Sequence, residues 1–331
     1  MALNPEDNPV VLATAGYDHT IRMWDALKST CIRTIPFTDS QVNRMALSSD
    51  KHYLAVAGNP RVSLYDVFGT SESPVMSLEG HKANVTAVEF SQDYKYLATA
   101  SEDKTIRWWD VYAGSCKRVL ENNAMVNDVA VHPDMRTDIL VSCDQKGLVR
   151  VWGWLRQEVL AQAQPSGDTA MRCVAVSPDG MLVAAGNNFG QVFVFRLSVE
   201  GSAPRQVELE PYINFDAHEG ARITKIAFSA SGALLATASS DRTARLWQLA
   251  ERVVQAPDGS EGVVAGAELI NTLAYHQRWV WDVAFSSDSG YLVTVSTDTK
   301  AALWDVASGE IIREFKGHQK GVVCVALNDA T

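Results

Sequence analysis

Leu97-Ala98-Thr99-Ala100-Ser101-Glu102-Asp103, with Trp109 six residues beyond its aspartate, is the stretch that decides the fold of this chain. The same run of small and β-branched residues, then an aspartate, then a tryptophan six positions on, recurs at 12–24, 235–247 and 292–304. Tyr65, Trp152 and Phe195 close three further, looser versions. In chain order the seven aromatics Trp24, Tyr65, Trp109, Trp152, Phe195, Trp247 and Trp304 stand 41, 44, 43, 43, 52 and 57 residues apart. A period of about 40–45 residues with this ending marks a four-stranded blade that must stack on its neighbours to bury both faces. The expected fold is all-β: one seven-bladed propeller spanning 1–331.

Within a unit, turn residues separate four short runs. In the third they fall at 84–90, 96–100, 105–111 and 116–120. The ends of the chain complete each other. Residues 10–36 hold three strands of a blade whose first strand is missing, and 321–327 reads as that strand. The C-terminal strand is therefore expected to complete the N-terminal blade, giving 28 strands and no open stack. Two segments break the period, 198–217 with Gly201, Pro204 and Pro211, and 251–268 with Pro257-Asp258-Gly259. The second reads as a mobile insertion loop at the periphery.

The 331 residues are 47% hydrophobic and 21% charged, enough apolar matter for a large core. A net charge of −10 with no Lys/Arg cluster argues against nucleic acid or an anionic membrane as partner. Residues 1–9 lack the apolar stretch of a signal peptide, and no run is long enough for a spanning helix. Cys31, Cys116, Cys143, Cys173 and Cys324 are scattered and odd in number. That fits reduced thiols in a cytoplasmic protein better than disulfides or a zinc site. The Asn84-Val85-Thr86 sequon is a chance match in such a chain.

Four histidines precede a first strand and complete four polar sets: His81, Thr99, Asp103 and Trp109; His218, Thr237, Asp241 and Trp247; His276, Thr294, Asp298 and Trp304; and His318 with Thr14, Asp18 and Trp24. A His/Asp/Thr set invites a hydrolase reading. An active site occurs once, however, and this set occurs four times, so it reads as buried structural hydrogen bonding. The three other units lack it and should rely more on apolar packing. No phosphate loop, nucleophile elbow or metalloprotease motif is present, and neither catalytic residues, a metal nor a cofactor is expected.

Third-strand positions account for five of the nine tryptophans, and Trp108 reads as inter-blade core. The third-strand position does not explain Trp279 and Trp281, in Arg278-Trp279-Val280-Trp281. Strand alternation puts both on one side, with Val280 on the other. The next blades in ring order are entered through Gly317-His318-Gln319-Lys320 and Asp39-Ser40-Gln41-Val42-Asn43. Gln41, Asn43, Trp279 and Trp281 thus share an arc of three blades on one face, with the composition of an interface core.

The chain resembles the small WD-repeat subunit of the TOR kinase complexes, the Lst-eight or G-protein-β-subunit-like family. The resemblance covers nearly the whole chain. It is carried by Val11-Leu12-Ala13-Thr14-Ala15-Gly16-Tyr17-Asp18-His19-Thr20-Ile21-Arg22, by the Asp39 and Arg278 segments just quoted, and by Gly317-His318-Gln319-Lys320-Gly321-Val322-Val323-Cys324. It implies a non-catalytic subunit that docks on the TOR kinase domain near its active-site cleft, stabilises it, and serves both TOR complexes in nutrient and growth signalling. The kinase-facing residues it implies are Gln41, Asn43, Trp279 and Trp281. It further implies no need for self-association, and a cytoplasmic location, peripheral at endomembranes only through the complex. The alternative is a generic adaptor such as a ubiquitin-ligase substrate receptor. That class often carries Trp-Asp-x-Arg, whereas Leu27, Tyr112 and Ala307 stand here where the arginine would be. A propeller enzyme would need one asymmetric charged cluster at the channel mouth, and the sequence displays none.

Overall fold

The computed structural model describes residues 10–38, 40–201, 206–255 and 261–329. Among these, 28 strands form seven four-stranded antiparallel sheets, with a single 3₁₀ turn at Met135–Thr137. The innermost strands of blades 2 to 7 are Arg44–Leu47, Val85–Phe90, Val126–Val131, Met171–Val176, Ile223–Phe228 and Val280–Phe285. Each touches the next around a closed cycle. Blade 1 is built from both ends of the chain. Val322–Asn328 is its innermost strand, followed outward by Val11–Gly16, Thr20–Asp25 and Thr30–Pro36. The closing register runs from Val11 opposite Asn328 to Gly16 opposite Val322. At that seam a Cβ on Gly16 would lie 2.4 Å from the Gly321 carbonyl oxygen, so only glycine lets the ends approach this closely.

The second strand of a blade is sandwiched between neighbours and is apolar and small. Tyr96–Ser101 is buried from Leu97 onward, whereas the outermost Ser115–Glu121 is largely solvated. The core consequently lies in the seams between blades. Trp108 is buried there and stacks on Trp154 at 4.7 Å and on Tyr96 at 5.7 Å, packing against Val126 and Leu140 of blade 4.

All four polar sets are assembled. In blade 3 the Trp109 indole donates to Thr99 Oγ1 at 2.9 Å, Thr99 lies 2.7 Å from His81 Nε2, and His81 Nδ1 lies 2.8 Å from Asp103. Blades 6, 7 and 1 repeat this with spacings of 2.7 to 3.0 Å, the last through His318, Thr14, Asp18 and Trp24. One tautomer satisfies the whole chain: indole N–H to hydroxyl, hydroxyl to Nε2, Nδ1–H to carboxylate. The imidazole is then neutral and the aspartate ionised. Burial pushes the Asp103 carboxyl up, but hydrogen bonds from Thr105, the Lys82 amide and His81 outweigh it and hold it at about 2. Asp241 is held at about 2 against the same burial, chiefly by His218. Burial lowers His81 despite its carboxylate.

Two expectations need correction. Among the described residues the period-breaking segments are extensions of the blades rather than loops. Gln191–Glu200 pairs with Gln206–Asp216, and Thr243–Gln255 pairs with Glu261–Ala274, the latter ladder unbroken from Val254–Gly262 outward to Gln255–Glu261. Val253, Val254, Val263 and Val264 explain the strand: β-branched residues outweighed the glycines that had suggested a loop. Pro204 and Pro257-Asp258-Gly259 lie outside the described residues, as do Asp39 and residues 1–9. The second correction concerns blade 4, which is not held by apolar packing alone. Ser142, ten residues before Trp152, accepts its indole N–H at 2.8 Å, and buried Arg150 pairs with Asp144 at 2.8 Å, both tied to Asn122. In blades 2 and 5 the residue ten positions before the aromatic is an alanine, Ala55 before Tyr65 and Ala185 before Phe195, so neither aromatic has a hydroxyl at the position that Thr99 holds in blade 3.

Thr99→Val should strand the Trp109 indole N–H and His81 Nε2 in the core and lower stability by about 2–4 kcal/mol, measurable by denaturant unfolding. The acid response follows from the same groups. Asp103 and Asp241 bind protons more readily unfolded, so stability falls as pH drops from about 4 toward 2. His81, also lowered on folding, adds an earlier loss that begins as pH falls through 6.5. Thermal midpoints taken from pH 8 to pH 3 should be level above 7 and decline in two stages. A midpoint constant down to pH 4 would exclude a buried neutral His81.

Candidate functional site

Six innermost strands carry a bulge at the same place. In blade 7, Val280 opposes Ser296 and Asp282 opposes Val295, leaving Trp281 unpaired. Thr86, Asn127, Arg172 and Thr224 are the equivalent extra residues of blades 3 to 6. Val323 is skipped likewise against Ala15 and Gly16 in blade 1. In blade 2 the Asn43 amide donates to Ala57, which Arg44 already opposes. A bulge turns its residue out of the pleat. All seven of these residues line one funnel of about 370 Å³ at the mouth of the central channel.

Four of them sew the ring together. Asn43 Nδ2 donates to the Val85 carbonyl at 2.9 Å, Thr86 to Val126 at 2.7 Å, Asn127 to Met171 at 2.6 Å and Thr224 to Val280 at 2.6 Å. Every acceptor is the residue just before the next blade's bulge. Arg172, Trp281 and Val323 do not make this stitch. Trp281 instead donates to Thr297 in its own blade at 2.7 Å and rests on the core cluster of Val42, Met45 and Val323.

The four residues selected from the sequence fall together. Gln41 and Asn43 line the funnel beside Trp281, and Trp279 leans on Trp281 with ring centroids 5.6 Å apart. Trp279 is 42% exposed and Trp281 half-buried, while Val280 is fully buried. Gln41 is exposed and no hydrogen bond holds its amide among the described residues. Asn43 is different: its Nδ2 also reaches Asn84 at 2.7 Å, so it buttresses the rim from within. Sequence reading missed Tyr17, which packs on the same cluster, and the funnel arginines Arg172 and Arg222. Arg222 holds its guanidinium 5.6 Å from the Trp279 ring. The signal was positional: each lies within one residue of the start of an innermost strand or of the end of the strand paired with it.

Deeper in the channel the charges are matched. Asp282 takes amides from Val283 and, across the seam, Val325, and pairs with Arg44 of blade 2 at 3.2 Å. Asp128 of blade 4 repeats this with Val129, Val174 and Lys225 of blade 6 at 3.3 Å. Each carboxylate therefore ties three consecutive blades. Desolvation pushes the Glu89 carboxyl beside them up to about 7, against the pull of Lys225.

The WD domain, G-beta repeat model matches residues 2–25, 72–110, 114–153, 209–248 and 267–305. Similarity to individual proteins is closer and continuous. Target of rapamycin complex subunit wat1 of Schizosaccharomyces pombe is 43% identical over 325 residues, 98% of each chain. This chain belongs to the LST8 family. Another LST8-family member, target of rapamycin complex subunit LST8 of Saccharomyces cerevisiae, is 44% identical over 97% of this chain and 99% of its own. The Mus musculus LST8 is 35% identical over 98% and 96%. As an LST8-family propeller, the chain holds its rim by two kinds of residue, which substitution should separate. Asn43→Ala, by removing a stitch and leaving Asn84 and Val85 short of a donor, should lower stability by about 1–3 kcal/mol. Gln41→Ala should leave it within about 0.5 kcal/mol. Urea unfolding of the two variants checks this.

Proposed function

We propose that this protein is a non-catalytic subunit of TOR complexes that binds the kinase domain of TOR through the funnel face of blades 7, 1 and 2. The observation that carries the reading is the Trp279–Trp281 pair, one ring 42% exposed and the other braced on the core, at the rim of a chain whose full-length relatives bear the name of TOR complex subunits. A soluble fold gains nothing from leaving an indole open to water beside a second one. Aromatic anchors held rigidly by their own scaffold are what a partner's docking segment binds best. Gln41 supplies a free amide alongside, and Asn43 fixes the rim. The propeller acts as a ligand of the ordered kinase, shifting its population toward the active arrangement rather than contributing a reacting group. It works in the cytoplasm and reaches endomembranes only with the assembled complex.

The test is the affinity of the full chain for a TOR kinase domain. Trp279→Ala, which removes an exposed ring, should keep the thermal midpoint and weaken binding about thirtyfold or more. Trp281→Ala also loses core packing, so Trp281→Phe is the cleaner partner variant. Absence of binding by the wild type would overturn the TOR reading. Binding indifferent to Trp279→Ala would place the interface on another face.

A further inference from the structure

The seam between blades 5 and 6 departs from its neighbours in a way that stability does not explain. Arg172 occupies a bulge position from which residues of blades 2, 3, 4 and 6 stitch to the next blade. It makes no such bond. Its Nε donates instead to Asn188 of its own blade at 2.7 Å, and the side chain lines the funnel. One blade on, Arg222 lines the same funnel and leans over Trp279. Among the described residues neither guanidinium has a carboxylate within ion-pair distance, although the channel's other cations, Arg44 and Lys225, each have a buried aspartate. The carboxylate lining the funnel, Glu102, sits on blade 3 near Asn84.

Two half-buried like charges in one cavity are unfavourable. Burial lowers Arg172 below the usual arginine value, and the positive charge of Arg222 lowers it further. A carboxylate set between them would relieve both effects and could be gripped by two planar forks. The rest of the molecule sharpens the selectivity. The chain as a whole carries a net charge of −10, which disfavours an acidic segment, whereas the unpaired Arg172 and Arg222 in the funnel favour one there.

We propose that Arg172 and Arg222 receive an aspartate or glutamate side chain of the partner's docking segment, whose apolar residues lie on Trp279 and Trp281. This rests on the docking reading above and extends the contact arc from blades 7, 1 and 2 to blades 5 and 6. The occupant is an acidic, partly apolar peptide segment of the kinase. The arginines set its direction across the funnel and the tryptophans supply the hydrophobic anchor.

The experiment measures binding of the full chain to a TOR kinase domain at about 50 and about 300 mM salt, for wild type, Trp279→Ala, Arg222→Gln and Arg172→Gln/Arg222→Gln, with thermal midpoints for each. The wild type should weaken with salt. The double variant should bind about thirtyfold more weakly at low salt, with a flatter salt dependence. Arg222→Gln, at a half-exposed site, keeps the test open if the double variant melts early, and should alone weaken binding about fivefold or more. Should both arginine variants bind like the wild type at both salts while Trp279→Ala weakens binding, the arginine seam is overturned and the docking face stands. Should the wild type itself fail to bind, the docking reading falls and this inference with it.

Discussion

Everything in this molecule depends on one antiparallel pairing, between the last described strand, Val322–Asn328, and the first, Val11–Gly16. Seven sheets packed face to face leave two raw faces unless the seventh meets the first, and the residues packed on both sides of blade 1 are hydrophobic. The closing strand joins blade 1 to both neighbours at once. Val322 packs with Trp24 and Phe315 toward blade 7, while Val323 and Ala326 pack with Met45 and Val56 toward blade 2. Asp282 reaches across the same seam to the Val325 amide and beyond it to Arg44. The tryptophan rim stands on this seam, because Trp281 and Tyr17 rest on the cluster that Val323 and Cys324 complete.

The innermost bulge is the second organising device. A strand that alternated strictly would send every other side chain into the channel and leave its mouth to chance. A displaced residue at the start of the innermost strand gives each blade a side chain in the funnel, beside others such as Gln41 and Glu102. Where that residue is Asn or Thr, it is spent on joining blades. Where it is Arg, Trp or Val, the join is given up and the rim gains chemistry. The three exceptions lie on blades 5, 7 and 1, and the exposed tryptophan lies beside one of them.

The global architecture was legible because its signals are local and repeated. Thr99, Asp103 and Trp109 stand at fixed spacing, and the spacing returns around the ring, so the polar sets could be assembled on paper, even His318 with Thr14 across the whole chain. The face shared by Gln41, Asn43, Trp279 and Trp281 could be reached by counting blades. What escaped was whatever depends on a neighbour rather than on a period. Strand alternation predicted the side on which Trp281 lies but not the bulge that turns it into the funnel. Arg150 with Asp144 replaced a histidine network without any of its spacing. Arg172 and Arg222 are fifty residues apart and meet only because adjacent blades bring them to one cavity. The paired strands Gln191–Glu200 with Gln206–Asp216 and Thr243–Gln255 with Glu261–Ala274 escaped because the Gly and Pro in those stretches of sequence outweighed the neighbouring valines in the reading.

The join between His318 and Thr14, and between Val322 and Gly16, also sets an order in time. A chain emerging from the ribosome can make blades 2 to 7 one after another, each from contiguous sequence. Blade 1 must wait for Val322–Asn328, and the cluster beneath Trp281 stays unfinished until then. A polypeptide without Val322–Asn328 therefore leaves Trp281 without part of the cluster it rests on.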